Sequence, residues 1–583
     1  MNHYFIGLSV TYHDPAIAIL NESGAVLFAE ATERYLQHKR ALHCAADPLF
    51  YVAKLLAEHC PEPSSITLAF NWRKQRPWYE TVVGRLGFLS APGLLHTGIK
   101  RLRAPLENYQ LHHMMASQRS RVQDAGINLV RIIREHYPDC RLYFRDYDHH
   151  LTHAAMACYS SPFEDAACAV IDSYGEQGAM AFFRYQQGEL SRVYEAKGLR
   201  MSSLGLFYMR LTELCGFDWL QGEEWKVMGL AAYGQFDPEL YAIFSKIINV
   251  TGFECKHPSK AFFEALDEME RFKQTPAQDN LASADLAYTG QYFFAEKLSQ
   301  LLNHLYQVTQ SDYLTLAGGC ALNSAFNGQI TERTAFKQVH IPPAPADDGC
   351  ALGAAWLAWH QSHPKQRQAP RLLSPYLGAE ISGRAIERLL KFNRALIIEH
   401  APERVTQITA QLLADGKLVG WIQGRAEYGP RALGNRSILA DPRSAATQDL
   451  INQNIKFREM FRPFAPSILH EFGDVYFENY QESPYMDKTL VIREAMRSKI
   501  AAVCHVDGTG RVQSVKQAWN PKFYSLLQSF HTLTDVPVLL NTSFNVMGKP
   551  LVHSLEDALA VFLTCGLDVL VINDYVIQKP FNV

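Results

Sequence analysis

Apolar and polar positions over the first thirty residues fall into blocks that predict short strands. "YFIGLSV" is an apolar run, "TYHDP" a polar loop, "AIAIL" a second run, "NESG" a turn and "AVLFAEAT" a third run. The same order returns later as "AACAVID", "SYGEQG", "AMAFFRY", "QQGE" and "LSRVYEA". Each unit has a polar loop after its first strand, small residues opening its second, and a Gly turn before its third. A three-strand meander that occurs twice, with helical material between, predicts a duplicated α/β domain.

Paired meanders of this kind underlie actin-like folds, so an actin-like duplication is the expectation for the first part of the chain, residues 1–361. Residues 75–138 interrupt it with mostly helical, partly basic sequence such as "GIKRLRAP", which reads as a solvated helical insertion. Residues 253–290 form another polar helical stretch. Around 361–373 the apolar periodicity disappears and Pro, Gln and charge take over, the signature of a linker. From "SPYLG" onward, residues 374–583 read as a second α/β domain of about 210 residues, an ordinary single-domain size.

Composition narrows the class. The 583 residues are 48% apolar and 20% charged with a net charge of −3, which is ordinary globular usage and gives no sign of nucleic-acid binding. The eleven cysteines include no CxxC pair and several lie in apolar runs. They read as small core residues of a reduced, intracellular protein. The N-terminus lacks a basic, then apolar, leader pattern, and no apolar run reaches the roughly 18–20 residues of a membrane span. A cytoplasmic location without a membrane partner is expected.

The stretch "DYDHHLTHAAMAC" crowds three histidines against small apolar residues. His149 and His153 are four apart and share one face if the segment is helical. Two imidazoles one turn apart make a bidentate site for a divalent transition metal; a polar helix end is the alternative. A zinc-protease reading fails because His150 stands where that motif needs Glu. Asp172 ends an apolar strand, and Asp347 sits in "PPAPADDGCALGAAW"; these carboxylates are candidates to complete a shell. A helix cap is the alternative for Asp347 or Asp348.

"LTLAGGCALNSAFNG" is a strand, a Gly pair and a helix of small residues, in which Gly318 and Gly319 allow close backbone approach to an anion. It matches neither the Walker loop nor the dinucleotide fingerprint. From Arg425 to Arg462, seven basic residues meet four acidic ones among glycines and prolines. Arginines on irregular backbone suit bidentate grip on phosphate or carboxylate. Salt bridges with Glu427, Asp441 and Glu459 are the alternative. "VLLNTSFNVMGKP" would add hydroxyl and amide donors to the same small anion.

Together, "HHLTHAA", "GEEWKVMGLAAYG", "AGGCALN", "RAEYGPRALGNRSILADPR", "KFREMFRPFAPS", "HVDGTGRVQSV" and "LLNTSFNVMGKP" resemble the O-carbamoyltransferases of nodulation and antibiotic biosynthesis. The resemblance runs nearly end to end. It implies an actin-like (RNase H-like) N-terminal domain and a C-terminal domain similar to the enzymes that make threonylcarbamoyl adenylate. It implies that ATP and carbamoyl phosphate, with Mg, become carbamoyl adenylate and pyrophosphate, and that an alcohol then takes the carbamoyl group and releases AMP. Carried over by motif, Arg431, Lys456 and Arg462 would grip phosphates beside Arg511, Asn541 and Ser543. His149, His153, Asp172 and Asp347 would hold an iron-like divalent metal, with zinc or manganese as alternatives. Lys226, Gly318, Gly319 and Asn323 would bind the adenylate, and His13 would be the base for the acceptor hydroxyl.

Three positions depart from the family pattern: Ser173 where Gly is common after the Asp, Cys320 where a small aliphatic residue is usual, and His150, extra to the ligand pair and expected to be structural. An actin-like small-molecule kinase, a tRNA-modifying enzyme and a nucleotide-gated interaction protein are the competing readings. The acceptor alcohol, a small natural product on the family's pattern, and the oligomeric state, homodimer included, stay open.

Overall fold

The apolar blocks of the first unit become two sheets of one pattern. The structure is a computed structural model that describes residues 2–74, 117–118, 120–195, 203–256, 261–275, 279–366, 370–459 and 461–580. Strands β1 His3–Ser9, β2 Ala16–Leu20, β3 Val26–Ala31, β4 Ser65–Phe70 and β5 Arg141–Asp146 form a sheet in the order β3-β2-β1-β4-β5. Strands β6 Asp165–Ile171, β7 Met180–Gln186 and β8 Glu189–Glu195 form the second meander. After a hairpin of β9 Asn249–Thr251 and β10 Glu254–Lys256 come β11 Tyr313–Ala317 and β12 Gln338–His340. The second sheet runs β12-β11-β6-β7-β8. In both sheets the meander is antiparallel, a fourth strand pairs parallel with its first, and a fifth pairs parallel with the fourth. One topology used twice is the duplicated actin-like fold that the repeated blocks predict.

Burial explains the strand compositions. β1, β2 and β6 are buried along nearly their whole length, which fits their continuous apolar runs rather than strict alternation. Two helices fill the space beside the sheets. Helix Cys350–Ser362 lies against β1, β2 and β4, and helix His149–Tyr159 lies against β6, β7 and β11; the two helices pack on each other. Their contact needs small residues. A Cβ on Gly353 would stand 2.0 Å from the Thr152 carbonyl oxygen, so only glycine lets the helices approach this closely.

Residues 1–33, 40–322 and 330–373 make one compact unit, and residues 34–39, 323–329 and 374–583 make another. Most of the expected insertion at 75–138 lies outside the described residues; Ile127–His136 within it is a helix. The second unit is built on a nine-stranded mixed sheet. Its core gathers apolar side chains from most strands, with Trp421, Leu439, Ile468, Leu539 and Leu570 fully or almost fully buried. Adjacent strands Ala465–Leu469 and Thr509–Val515 pair in parallel, and Val538–Ser543 joins the first of them antiparallel. No helix among the described residues is long and apolar enough to cross a membrane.

Candidate functional site

The helix with the histidines starts where its sequence says it should. The Asp148 side chain accepts from Leu151 N at 3.1 Å and pairs with Arg192 at 2.6 Å, capping the helix ahead of His149. One turn separates His149 from His153, whose ring centroids are 4.7 Å apart. Asp172 follows the end of β6, and Asp347 opens the short turn Asp347–Gly349 that leads into the next helix. His149 Nε2 lies 3.5 Å from both Asp172 Oδ2 and Asp347 Oδ1, and His153 Nε2 lies 3.5 and 3.4 Å from the same atoms.

All four side chains are buried, and their donor atoms lie within 4.8 Å of one another. Ligands that share one ion at about 2.0–2.2 Å each have separations of this size. Apart from those two carboxylate contacts, buried His153 Nε2 has no hydrogen-bond partner among the described residues, as a nitrogen kept for an ion would be. Burial alone would lower both imidazoles, yet Cys350 and the two carboxylates hold them well above the ordinary histidine value. Burial would raise the carboxylates, but the imidazoles hold both well below their ordinary range. The donor set fits a divalent metal.

Cys350 belongs to this neighbourhood and escaped the sequence reading, which placed all cysteines in packing roles. Burial would raise its thiol, but His153 and His149 bring it down to about 7. The "DDGC" spacing next to Asp347 was the available signal. His150, by contrast, packs against Gly175, where an added Cβ would meet its Nε2 at 2.6 Å. Burial and the neighbouring His149 push it to about 3, so it stays neutral. Asp348 accepts from Gly349 N at 3.1 Å, a turn-forming role that leaves Asp347 to the cluster.

His13, in the loop after β1, places Nδ1 2.9 Å from Asp14 Oδ2 and 3.6 Å from Asp347 Oδ2. Arg40 donates to the same Asp14 oxygen through Nε at 3.2 Å and Nη2 at 3.1 Å. Asp14 adopts a left-handed φ of 55°, a conformation that aspartate tolerates better than most residues. Sequence reading missed Asp14 and Arg40 as the groups that hold His13.

Gly318 has φ +90°, and a Cβ there would lie 2.3 Å from Ile171 O, so glycine is required where β11 ends beside β6. Gly319 sits next to Asp172: an added Cβ would be 3.2 Å from its Oδ1. Lys226 is buried, 2.7 Å from Glu223 and over the Phe217 ring. Asn323 clusters with the second unit and caps its short helix by accepting from Phe326 N at 3.0 Å.

In the second unit the basic residues separate into two kinds. Arg436 is fully buried and donates to the carbonyls of Ala379, Gln423, Gly424 and Asn435. Arg443 grips Asp441. These two hold the fold. Glu427 accepts from the backbone of Leu433, Asn435 and Arg436, shaping the loop that carries Arg431.

Arg431, Lys456, Arg458, Arg462 and Arg511 disfavour one another's charge. Burial pushes Arg431 down to about 10. Burial, then Arg458 and Arg462, holds Lys456 well below the usual lysine value, and burial with Arg431 and Arg458 does the same to Arg511. Lys456 Nζ is oriented by Ser543 Oγ at 3.2 Å and Asn545 Oδ1 at 2.8 Å. Asn541 Nδ2 reaches Ala432 O, Ser467 Oγ and Gln513 Oε1, tying three strands and the arginine loop together. Arg462 pairs with Glu459 at 2.9 Å. Arg458 was not singled out from sequence, although it lies between Lys456 and Arg462. Its Nε donates to Asn452, and its buried Nη2 has no hydrogen-bond partner among the described residues.

Residues 4–356 match the family model described as carbamoyltransferase N-terminus, and residues 410–579 match that described as carbamoyltransferase C-terminus. The chain belongs to the carbamoyltransferase family. This carbamoyltransferase is 32% identical to an uncharacterised protein of Synechocystis sp., covering 99% of this chain and 97% of that one. It is 37% identical to nodulation protein NolNO of Sinorhizobium fredii over 74% of this chain, and spans 63% of that relative's length. Full-length HypF in its phosphate- and nucleotide-bound form aligns with 61% of this carbamoyltransferase and 55% of that chain, at 9% identity and a TM-score of 0.35. A likeness that weak carries no argument.

Proposed function

We propose that this carbamoyltransferase is ATP-dependent and modifies a hydroxyl group. In the second unit, carbamoyl phosphate loses its phosphate to water. A carbamate oxygen then attacks the α-phosphorus of ATP, pyrophosphate leaves, and carbamoyl adenylate remains. In the first unit, the acceptor hydroxyl attacks the carbamoyl carbon, His13 takes the hydroxyl proton, and AMP leaves with the electrons of the broken C–O bond.

The observation that carries this reading is the gathering of buried Lys456 with the half-buried Arg431, Arg458 and Arg511, cations that burial holds below their ordinary values and that an anion would stabilise. Two phosphorylated substrates need several cations, because their combined negative charge opposes their approach. Arg462, Asn541 and Ser543 complete the surroundings.

In the first unit, Asp14 accepts from His13 Nδ1 and so leaves Nε2 as the nitrogen that takes the hydroxyl proton. His149, His153, Asp172 and Asp347 would hold a divalent metal such as iron(II), zinc or manganese. Such a metal supplies Lewis-acid charge withdrawal near a leaving phosphate. Gly318, Gly319, Lys226 and Asn323 are the proposed adenylate contacts, and Mg accompanies ATP. The acceptor is a small-molecule alcohol, and the protein acts in the cytoplasm.

Release of pyrophosphate from ATP is the test. It is expected only with carbamoyl phosphate present, followed by AMP on addition of an accepting alcohol. Formation of ADP without carbamoyl phosphate would instead establish a kinase.

A further inference from the structure

The histidine pair has more donors around it than the four-residue set uses. Cys350 begins the helix Cys350–Ser362 and is fully buried, with its sulfur and ring nitrogens of His149 and His153 all within 4.8 Å of one another. This trio is separate from the set with Asp172 and Asp347, because the five donor atoms do not meet that spacing together. The same two imidazoles therefore belong to two donor sets, one completed by carboxylates and one by a thiol. His153, whose Nε2 is buried with no hydrogen bond among the described residues, belongs to both sets.

We propose that Cys350 is a metal ligand, and that it gives the histidine pair a second, sulfur-containing site for softer divalent ions such as zinc and cobalt(II). Carboxylates suit manganese and other hard ions, whereas thiolate favours zinc and its soft neighbours. Two histidines and one cysteine leave a fourth position for water or substrate, the arrangement by which three-ligand zinc sites stay reactive. As the sulfur–metal bond forms, the thiol proton passes to buffer. The choice of donor set makes the identity of the bound ion depend on Cys350 as well as on Asp172 and Asp347. The inference rests on the reading of His149 and His153 as metal ligands.

Full-length protein stripped by a chelator and titrated with cobalt(II) tests it. One equivalent is expected to bind with an intense near-ultraviolet sulfur-to-cobalt charge-transfer band. The band should vanish in Cys350→Ser and persist in Asp172→Asn. X-ray absorption of the zinc-loaded wild-type protein should show one sulfur at about 2.3 Å. That measurement needs no variant, so a Cys350→Ser chain that fails to fold does not protect the proposal. Bound cobalt without the band, with a zinc shell of nitrogen and oxygen only, overturns the Cys350 site and leaves the four-residue set standing. A band that survives in Cys350→Ser overturns it by assigning the sulfur elsewhere. Failure to bind either ion overturns both.

Discussion

Gly353 and Thr152 fix the distance between the two central helices of the first unit: a Cβ on residue 353 would come within 2.0 Å of the Thr152 carbonyl oxygen. That contact sits one turn from Cys350 on one helix and beside His153 on the other. Gly353→Ala is therefore expected to force the helices apart, destabilising the protein by about 1–3 kcal/mol, the usual range for overpacking. Urea unfolding measures the loss. The same variant should bind metal more weakly, because the donors on the two helices move with their backbones.

Lys456→Ala should lower pyrophosphate release by at least about 10²-fold, the scale for removing one charge-stabilising donor from a preorganised site. His149→Ala should spare that step and stop transfer. Separate assays of pyrophosphate and of carbamoylated product decide it; both variants failing at the first step would refute the division of labour.

Replacing His13 by Asn should reduce transfer by about 10²–10⁴-fold, the usual contribution of general base catalysis, with pyrophosphate release little changed. Asp14→Asn should fall in the same direction by less, since it orients the ring rather than taking the proton. Unchanged transfer in His13→Asn would remove it as the base.

Anion binding in the second unit should take up a proton. The free-state pKa of Lys456 is held down by burial and by Arg458 and Arg462. An anion favours the charged form and raises that pKa, so above the free-state value binding draws a proton from solvent and weakens as pH rises. Calorimetry with sulfate in buffers of different ionisation enthalpy reads the uptake, and Lys456→Met should abolish it. Equal uptake in the variant would assign the proton to another group.

Arg436 and Arg458 should part company when replaced. Arg436→Ala strands buried carbonyls at about 1–3 kcal/mol each before relaxation, so thermal unfolding should fall well below wild type. Arg458→Ala should retain most of the thermal stability and lose pyrophosphate release. Equal loss of stability in both would make Arg458 a fold residue.

Much of this was legible in the chain. The repeated meander blocks carried the duplicated sheet topology, because apolar runs and Gly turns are local signals that every strand order must respect. His149 and His153 were legible through helical spacing, and Asp172 through a charged group at the end of a buried strand. Arg458 and Cys350 were harder. One lay inside a run where every basic residue looked alike, and the other in a helix of small apolar residues where cysteine is an ordinary core choice.

Sequence alone determined the element pattern, the family motifs and the residue types available for chemistry, since these depend on neighbours within a few positions. Tertiary structure decided which of seven basic residues between 425 and 462 hold carbonyls and which face one another. It also brought His149, Asp172, Asp347 and Cys350 into one neighbourhood from positions about two hundred residues apart at the extremes. Burial, charge repulsion and ligand spacing are properties of distances in space, and chain order does not contain them.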